Sequence, residues 1–568
     1  MRAAASDMER VSARLSFLIV LSGVFVVLSV SKMAGIQIMH HDEYLQRAEQ
    51  QQTKQVSVQA RRGNIYDKNG YLLAGNVTEA TFSVFWPQVP DEKTAEVDSL
   101  IMLLGEYSRY SVPMQRGSGY TVIADNVPWE FASQIINSVP EHADCSFVTR
   151  RVYPMAESIT PVIGTYNENV SQGLEYYMED FLEGTDGVSY YQTCSWGEFS
   201  AFDATAANVA PVNGKDLYLT IDSRYQEIAQ EELELAVEVS GSSWGAVVII
   251  NPANGDILAM ASYPVFNENG SLAMNHCIQS STEPGSVFKA VTLSAALDAG
   301  SVSLSDSFDC TGSYIEISGY RIRDSHPIGE VLDLTGVIAR SSNVGTIQLA
   351  STMQDSVFYE YCRSFGFGSR TRVEFPSEQS GLITDLRNWS ALSKANLAIG
   401  QEVSATPLQL AMAYGAIANG GLLNRPRLIE STGEGGLLRP LAESPAHRII
   451  SQETAAQVRQ VLTSVVTDGT GQSAQVPGVT VAGKTGTAER LVQDGYLSAF
   501  AGMVPADNPG LVAVVVFDLP DYQYRWGSVL AAPVFERIVS RILSTSPEIA
   551  LGQPRSANEM VVAAGGIL

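Results

Sequence analysis

A chain of 568 residues is too long for one compact core, and its composition, with 45% hydrophobic and 17% charged residues, is that of a globular protein. The formal net charge of −25 argues against binding to nucleic acid, because a protein that binds phosphates needs a basic face, and against broad adhesion to an anionic bilayer. The cysteines are odd in number and widely spaced, so neither a zinc site nor a dense disulfide framework is expected. We expect five buried thiols, with one long-range disulfide as the alternative: Cys145, Cys194, Cys277, Cys310 and Cys362.

The N-terminal region contains seventeen uncharged, mostly apolar residues, Leu15 to Ser31, bounded by basic residues on both sides. Apolar residues resume after residue 32, so we predict a transmembrane anchor over residues 15–38. A cleaved signal peptide is the alternative, with a small-x-small site at residues 29–31, but seventeen residues are long for a signal core. Arginines precede this stretch and few basic residues follow it closely, which predicts a cytoplasmic tail of residues 1–14 and an extracytoplasmic remainder.

Residues 39–215 mix short strands with helices and contain no evident nucleophile or metal cluster. A short strand ending in the turn Asn69-Gly70 is predicted over residues 61–70, and residues 172–184 have amphipathic helical spacing. We therefore predict a non-catalytic α+β pedestal over residues 39–215.

Residues 216–546 are predicted to form one α+β domain, followed by a small, polar and loose tail at 547–568. A strand at 216–222 precedes an amphipathic helix over Tyr225–Val239, with Asp222 as its N-cap. Two apolar strands at 245–250 and 256–261 flank a Pro-Ala-Asn-Gly turn and predict a hairpin. Helical patterns such as 406–419 fill the middle, and further strands are predicted at 479–487, 499–504 and 511–519. Strands at both ends of the domain imply a sheet assembled from distant segments.

The first candidate motif, Ser286-x-x-Lys289, opens a predicted helix that runs from the turn Pro284-Gly285 to Gly300. The helix is apolar on nearly every side, which predicts that it is buried. Residues three apart share a helix face, so the hydroxyl and the amine are expected side by side. A buried lysine whose pKa falls toward neutrality can take the proton of a serine and make it nucleophilic. The pattern alone is weak, since residues 29–32 also fit it.

The second candidate motif is Ser341-x-Asn343, in a small-residue loop between two helical stretches. It offers a hydroxyl that can relay a proton and an amide that can bind a carbonyl or a lysine amine. Taken alone, these residues favour an ordinary turn.

The third candidate motif, Lys484-Thr485-Gly486-Thr487, follows an apolar run and is predicted to lie on a strand. A lysine beside threonine hydroxyls can hold a substrate carboxylate, and the glycine allows close approach of a substrate backbone. Together with Gly478 the letters nearly match a phosphate-binding loop. The Val-Thr-Val-Ala run after Gly478 favours a strand, and Gly486 argues against a helix start, so nucleotide binding is the less favoured interpretation.

In this order, the three motifs match the Ser-x-x-Lys, Ser-x-Asn and Lys-Thr-Gly set of penicillin-binding proteins and serine β-lactamases. The resemblance covers almost the whole chain beyond the anchor. Three segments resemble the pedestal signatures of class B penicillin-binding proteins: Arg62-Gly-Asn-Ile-Tyr-Asp67, Arg151-Val-Tyr-Pro154 and Gly173-Leu-Glu175. Three others resemble parts of the transpeptidase domain of that class: residues 256–262, 283–286 and 405–409. Pro161, Arg372 and Glu402 depart from the family pattern, which often has His at the first position and Gly at the others, but none belongs to the catalytic set. The implied catalytic fold is that of the serine β-lactamases, an antiparallel sheet with helices on both faces.

The resemblance implies that Ser286 is acylated by the D-Ala-D-Ala end of a peptidoglycan stem peptide, with Lys289 as the general base. Ser341 would pass a proton to the leaving D-alanine, and Asn343 would position the peptide amide. An amine from a neighbouring strand would then take the acyl group and form a cross-link. β-Lactams would acylate the same serine.

The resemblance also implies that Lys484, Thr485 and Thr487 bind the terminal carboxylate, with Gly486 between them. Lys484 would help to keep Lys289 neutral, and the backbone N–H groups of Ser286 and Thr487 would form the oxyanion hole. No cofactor or metal ion is implied.

Two other functions compete with this interpretation. A β-lactamase or carboxypeptidase of the same fold is one, but the Glu-x-x-x-Asn pattern of class A β-lactamases is absent between Asn343 and Lys484. A silent scaffold or β-lactam sensor is the other. The intact motif residues argue against a scaffold, and a sensor would need more spans or a cytoplasmic domain than the fourteen residues before the predicted anchor provide.

No glycosyltransferase-like region is predicted, so glycan polymerisation is expected from a partner. The resemblance implies a multi-span, SEDS-type membrane glycosyltransferase. The compact run from Gly164 to Gly184 is more similar to division-type or sporulation-type members of the class than to elongation-type members.

Overall fold

The computed structural model describes residues 2–44, 47, 53–114, 116–167, 170–193, 199–201, 209–434, 437–442, 444–490 and 494–551. The chain divides into two compact units, Met1–Arg61 with Glu183–Gly214, and Arg62–Leu182 with Lys215–Leu568. Cys194 and the predicted tail beyond residue 551 lie outside the described residues. The other four cysteines are free thiols, three of them buried and Cys145 partly exposed.

The first unit begins with an α-helix, Arg2–Ala34, that continues as a π-helical segment, Gly35–Met39. From Arg10 to Met39 this helix is long and apolar enough to cross a membrane. Its apolar side chains are exposed, which distinguishes it from the core helix of a soluble domain. The unit also contains an antiparallel sheet of three strands: Thr53–Val58, Gly187–Thr193 and Phe199–Ala201.

The second unit contains a seven-stranded sheet in which pedestal strands pair with strands from the C-terminal half of the chain. Its strands, in spatial order, are Leu437–Pro440, Ile429–Glu434, Asp216–Leu219, Ile65–Tyr66, Leu72–Phe85 and Tyr120–Pro128, and Ala143–Val152 also pairs with Leu72–Phe85. Helices Thr94–Leu104 and Trp129–Ile135 contribute to the core beside the outer strands. The remaining pedestal helices are Ala156–Ile163, Gly173–Tyr177 and Glu179–Leu182, so the predicted helix over 172–184 is interrupted at Met178.

A buried ion cluster lies in the pedestal part of this unit. The fully buried carboxylate of Glu175 accepts hydrogen bonds from Nε of Arg62 at 2.8 Å and from Nε of Arg151 at 2.7 Å. Arg62 also bonds twice to the half-buried Glu179. The three signature segments that resembled the pedestal of class B proteins therefore meet in one cluster.

The catalytic part is built on a five-stranded, fully antiparallel sheet, called the central sheet below. Its strands, in spatial order, are Ile257–Tyr263, Trp244–Ile250, Leu511–Asp518, Gly495–Val504 and Ala482–Arg490. The first two form the predicted hairpin, closed by Gly255 at φ +82°. Strands from both ends of the domain thus meet in one sheet, as predicted.

Helices cover both faces of the central sheet, which confirms the predicted fold class. Alternate residues of Trp244–Ile250 belong to different cores: Val248 packs with the helices around residues 289–298 and 407–418, whereas Val247 packs with those at 223–240 and 531–545. This division follows from the two-residue period of a strand. The helices of this part are Ser223–Ser240, His276–Gln279, Lys289–Asp298, Leu334–Ala339, Asn343–Ser351, Asp355–Ser364, Ser393–Ala398, Pro407–Ala418, Gln452–Thr467 and Ala531–Thr545.

Side-chain caps fix the start of two predicted helices. The carboxylate of Asp222 accepts from the backbone N–H of Arg224, and Thr406 and Gln409 form a reciprocal capping box. Short two-stranded pairings complete the unit: Tyr166–Asn167 with Val170–Ser171, Ser307–Cys310 with Glu330–Asp333, Tyr314–Ile317 with Tyr320–Arg323, Leu382–Ile383 with Val403–Ser404, and Leu422–Leu423 with His447–Arg448.

Candidate active site

Ser286 lies in a 3₁₀ turn, Gly285–Phe288, that leads directly into the serine helix, Lys289–Asp298. Residues three apart eclipse each other in a 3₁₀ turn, so this geometry strengthens the predicted pairing of Ser286 with Lys289. Ser286 is partly exposed, whereas Lys289 is fully buried. Gly300, at φ +64°, follows the end of the helix as predicted.

The Lys289 ammonium is held by the Ser-x-Asn loop. Its Nζ donates to the backbone oxygen of Ser341 at 2.6 Å, to Oγ of Ser341 at 3.3 Å and to Oδ1 of Asn343 at 2.8 Å. Burial lowers the pKa of Lys289 to about 7, and the nearby carboxylate of Asp324 acts in the opposite direction. A large fraction of Lys289 is therefore neutral at physiological pH and able to accept a proton.

The Ser-x-Asn loop joins helix Leu334–Ala339 to helix Asn343–Ser351, as the sequence predicted. Its middle residue, Ser342, is the N-cap of the second helix and accepts from the N–H of Gly345. The backbone of Ser341 has φ +59°, a left-handed conformation that residues other than glycine rarely adopt. The turn thereby presents two oxygens of Ser341 and the amide of Asn343 to one ammonium.

Lys484 lies on the edge strand of the central sheet, Ala482–Arg490, which we call the lysine strand. The strand begins three residues later than predicted, because Val476 and Val479 pair with each other across the Pro477-Gly478 turn. The lysine lies inside this strand, which continues to Arg490 where a phosphate-binding loop would be followed by a helix, so the described residues do not form such a loop. The rejection of nucleotide binding at this motif is therefore supported by the backbone.

The side chain of Lys484 is fully buried behind the strand. Its Nζ donates to the backbone oxygen of Thr485 at 3.2 Å and, at longer distances of 3.4 and 3.5 Å, to the hydroxyls of Thr485 and Thr470. Burial, together with the charge of Lys289, holds the pKa of Lys484 well below its ordinary value. Two lysine amines are thus confined to one desolvated site.

Glycines bring the serine turn against the lysine strand. A Cβ on Gly486 would lie 2.6 Å from a methyl carbon of Val287, and a Cβ on Gly285 would lie 2.8 Å from the backbone oxygen of Thr487. Behind the turn, a Cβ on Gly400 would lie only 2.0 Å from the backbone oxygen of Gly285. The nucleophile and the lysine strand are therefore as close as their backbones allow.

These elements enclose a cleft of about 400 Å³. It is lined by Ser286, Ser341, Asn343, Thr485 and Thr487 among the predicted site residues. Lys289 and Lys484 lie behind its wall and Gly486 lies under the serine turn. All three motifs thus converge on one cleft, although 198 positions separate Ser286 from Lys484 in the sequence.

Residues that the sequence analysis missed also contribute to the cleft. Thr470, in the turn after helix Gln452–Thr467, has its hydroxyl 2.8 Å from that of Thr485. A Cβ on the preceding Gly469 would lie 2.3 Å from the backbone oxygen of Ala339, so this glycine brings the turn to the Ser-x-Asn helices. The sequence Asp-Gly-Thr-Gly at residues 468–471 was the feature that could have indicated this turn.

The mouth of the cleft carries aromatic side chains from two walls. His326, which follows the hairpin Tyr314–Arg323, contacts Trp526 with ring centroids 5.5 Å apart. Arg525 lies over the rings of Trp526 and Tyr522. In the part of the chain that the structure describes, no group of three or more His, Cys, Asp or Glu side chains is arranged to hold a metal ion.

Two family models match the chain. Residues 245–540 match the penicillin binding protein transpeptidase domain, and residues 57–219 match the penicillin-binding protein dimerisation domain. The first match covers the central sheet and all three motifs, and it alone spans more than half of the chain. The fold and the cleft are therefore those of a penicillin-binding transpeptidase, a serine acyltransferase.

Individual relatives and solved structures show which group of penicillin-binding proteins the chain is similar to. The chain is 30% identical over 555 residues to stage V sporulation protein D of Bacillus subtilis, covering 93% of this chain and 85% of that protein. It is 29% identical over 562 residues to the probable peptidoglycan D,D-transpeptidase PenA of Neisseria gonorrhoeae, covering 94% of each. The structure of penicillin binding protein 3 from Mycobacterium tuberculosis complexed with aztreonam aligns with a TM-score of 0.66 and 28% identity, over 87% of this chain and 97% of that one.

The chain belongs to the class B penicillin-binding proteins, which are serine-type peptidoglycan D,D-transpeptidases.

Proposed function

We propose that this protein cross-links peptidoglycan stem peptides through an acyl-enzyme on Ser286, at the outer face of a bacterial plasma membrane. The observation that carries the proposal is the position of Lys289. Its amine is fully buried, has a pKa lowered to about 7, and is bonded to the Ser-x-Asn loop. It lies three residues after Ser286, a partly exposed serine in the 3₁₀ turn that leads into the same helix. These are the properties of a general base beside its nucleophile.

In the acylation step, Oγ of Ser286 attacks the carbonyl carbon of the penultimate D-alanine while Lys289 takes the hydroxyl proton. The peptide C–N bond breaks, and the terminal D-alanine leaves as an amine after receiving a proton from Lys289 through the hydroxyl of Ser341. Asn343 holds the peptide amide during this step. The distance of 3.3 Å from Nζ of Lys289 to Oγ of Ser341 supports the second leg of this proton path.

The developing oxyanion would be stabilised by the backbone N–H groups of Ser286 and Thr487. The close packing of Gly285 on Thr487 supports this assignment, because it places the two backbones on the same side of the cleft. Thr485 and Thr487 would bind the terminal carboxylate with their hydroxyls, with Lys484 as the buried positive charge and Gly486 allowing the close approach. A second amine then attacks the ester carbonyl and forms the new amide bond while the ester C–O bond to Oγ of Ser286 breaks, and a proton lost by the amine goes to that oxygen.

The same geometry supports acylation by β-lactams, which present a strained amide and a carboxylate to the cleft. The relative in Mycobacterium tuberculosis was solved in complex with aztreonam and with ampicillin. We propose that benzylpenicillin forms a stable ester with Ser286 in this protein.

The membrane topology and the partner are part of the proposal. The apolar part of the helix Arg10–Met39, residues 15–38, would anchor the chain, with residues 1–14 in the cytoplasm and the catalytic unit outside, since arginines precede this apolar part. Glycan strands would come from a SEDS-type membrane glycosyltransferase. A role in septal or spore wall synthesis is supported by the similarity to stage V sporulation protein D.

Intact-mass spectrometry of the full chain in detergent, after incubation with benzylpenicillin, tests the proposal, with Ser286→Ala as the control. A stable adduct of one drug molecule, mapped to Ser286 and absent from the control, is expected. Rapid return to the free mass with consumption of the drug would identify a β-lactamase instead. Absence of any adduct would favour a silent scaffold and refute the proposal.

A further inference from the structure

Asp324 lies against the Ser-x-Asn loop, although it belongs to none of the three motifs. It directly follows the hairpin formed by Tyr314–Ile317 and Tyr320–Arg323. Its Oδ1 accepts from the backbone N–H of Asn343 at 2.5 Å and from that of Val344 at 3.1 Å. The hydroxyl of Ser342 lies 3.2 Å from each of its two carboxylate oxygens. One side chain from another segment therefore contacts three consecutive residues at the start of helix Asn343–Ser351, which we call the catalytic helix.

These contacts satisfy backbone donors that have no partner within the helix. Asn343 and Val344 are the first two residues of helix Asn343–Ser351, whose N–H groups cannot bond to a preceding turn. Ser342 caps the third N–H of the helix, on Gly345. A negative charge at this end is also favoured by the helix dipole.

The neighbouring Arg323 fixes the orientation of the Asn343 amide. Its backbone oxygen accepts from Nδ2 of Asn343 at 2.8 Å, so Oδ1 is the atom left to bind Lys289. A rotated amide would present a donor to the ammonium and lose both bonds. The backbone at the end of the hairpin thus determines that Oδ1 of Asn343, and not Nδ2, faces Lys289.

The hairpin itself is packed on the same helix. Ile315, Ile317 and Ile322 pack against a small core that includes Ile347 of the catalytic helix and Ile399 of the cleft wall. Asp324 is therefore held in place by the packing of these three partly buried isoleucines as well as by its own hydrogen bonds.

Asp324 also acts on Lys289 through its charge. Among the described residues, Asp324 is the carboxylate that acts on this amine. On the sheet side lies Lys484, whose pKa is lowered by burial and by the charge of Lys289. Arg340, on the same loop, bonds to Glu330. Ser341 and Asn343, which contact the amine directly, are neutral. Asp324 is the group that raises the pKa of Lys289 against the effect of burial.

We propose that Asp324 is a positioning residue of this active site, which holds the Ser-x-Asn loop in the geometry that binds Lys289 and supplies the negative charge facing that lysine. The inference rests on the proposed function of Ser286 and Lys289. It goes beyond the three motifs because it adds a fourth segment, residues 323–324, to the acylation machinery. A helix cap without a catalytic effect is the competing explanation.

The pH dependence of acylation separates the two explanations. Asp324→Asn keeps an oxygen acceptor for the two N–H groups and removes the charge. The rate constant for acylation by a fluorescent penicillin rises with pH as Lys289 loses its proton, and without the charge of Asp324 that loss occurs at lower pH. We expect the acid limb of the Asp324→Asn profile to move to lower pH by about one unit. Asp324→Ala, which removes the acceptor as well, should acylate about 10- to 100-fold more slowly at its optimum.

Asp333→Asn is the matched control. Asp333 is an exposed carboxylate that caps the other helix of the loop, accepting from the N–H of Gly336 at 2.7 Å. Its variant should give the acid limb of the wild type, because Asp333 is not among the groups that act on Lys289.

All measurements use the full chain in detergent, with thermal unfolding as a check on folding. If the acid limb of the Asp324→Asn profile does not move, the inference is overturned, even if Asp324→Ala does not fold. If Asp324→Ala folds and acylates at the rate of the wild type, the inference is overturned as well. Equal shifts in the Asp324→Asn and Asp333→Asn profiles overturn it too. If the wild type forms no adduct, the proposed function fails and the inference fails with it, an outcome that is visible before any Asp324 variant is compared.

Discussion

Lys289→Met is predicted to stabilise the folded protein at neutral pH while abolishing acylation of Ser286. Burial lowers the pKa of Lys289 from 10.5 to about 7. Each pH unit of difference between folded and unfolded chains corresponds to about 1.4 kcal/mol, so at pH 7 the unfolded state gains about 4 kcal/mol from binding this proton more tightly. Methionine has a similar shape and no charge, and it removes this penalty.

The loss of hydrogen bonds offsets part of the gain. The amine donates to the backbone oxygen of Ser341 and to Oδ1 of Asn343, and each of these bonds contributes about 1 kcal/mol. The expected net stabilisation at pH 7 is therefore about 2 kcal/mol. Because the folded pKa lies below the unfolded pKa, the penalty in the wild type is complete below about pH 7 and disappears as the pH rises toward 10.5. At pH 9 about 2 kcal/mol of penalty remains, so the variant and the wild type should be nearly equally stable.

Urea unfolding followed by tryptophan fluorescence at pH 7 and pH 9 measures both values. Lys215→Met is the control, since the side chain of Lys215 is 41% exposed and bridges to Glu434 on the surface. Its effect should not change between the two pH values. A Lys289→Met protein that is less stable than the wild type at pH 7, or whose advantage is the same at pH 9, would refute the assignment of a desolvated, nearly neutral lysine.

Three further predictions follow from packing and burial. Glu175→Ala leaves two buried guanidinium groups without their shared carboxylate and should destabilise the protein by about 3–5 kcal/mol. The control Glu179→Ala should cost about 1 kcal/mol, because the side chain of Glu179 is 31% exposed. Equal shifts of the two variants in thermal unfolding would contradict the argument. Gly486→Ala places a methyl group 2.6 Å from the serine turn and should slow acylation about tenfold or more, whereas Gly312→Ala, with its nearest contact at 3.6 Å, should acylate like the wild type. Thr470→Val removes the hydroxyl that lies beside that of Thr485, where the substrate carboxylate is proposed to bind. It should raise the penicillin concentration needed for half-maximal acylation about 2- to 10-fold and leave the maximal rate unchanged. A lower maximal rate alone would contradict a role of Thr470 in binding.

The sequence was sufficient to predict the motifs, because each depends on local patterns. The turn before Ser286, the apolar helix after it and the apolar run before Lys484 are all visible in consecutive residues. Strands at both ends of the domain predicted an α+β sheet, and the resemblance carried by the motifs implied the antiparallel arrangement with helices on both faces.

The contacts among segments could not be predicted in the same way. Nothing in the letters around Asp324 indicates that its carboxylate reaches the N–H groups of Asn343 and Val344, because that contact depends on a hairpin packed on a remote core. Thr470 was missed for the same reason, since its role appears only when Gly469 allows its turn to pack on Ala339. The strand before Lys484 was predicted to start too early because an apolar run does not reveal where the turn at Pro477-Gly478 ends the pairing.

The two buried lysines connect substrate binding to the strength of the base. Lys289 and Lys484 are both fully buried, and the charge of Lys289 lowers the pKa of Lys484, so the two lysines do not readily carry a positive charge at the same time. A substrate carboxylate at Thr485 and Thr487 would raise the pKa of Lys484 and fix its charge. A charged Lys484 would in turn lower the pKa of Lys289 and leave it neutral, ready to accept the proton of Ser286. Recognition of the terminal carboxylate is therefore expected to appear in the rate of acylation and not only in the affinity, because the group that binds the substrate also sets the protonation state of the base.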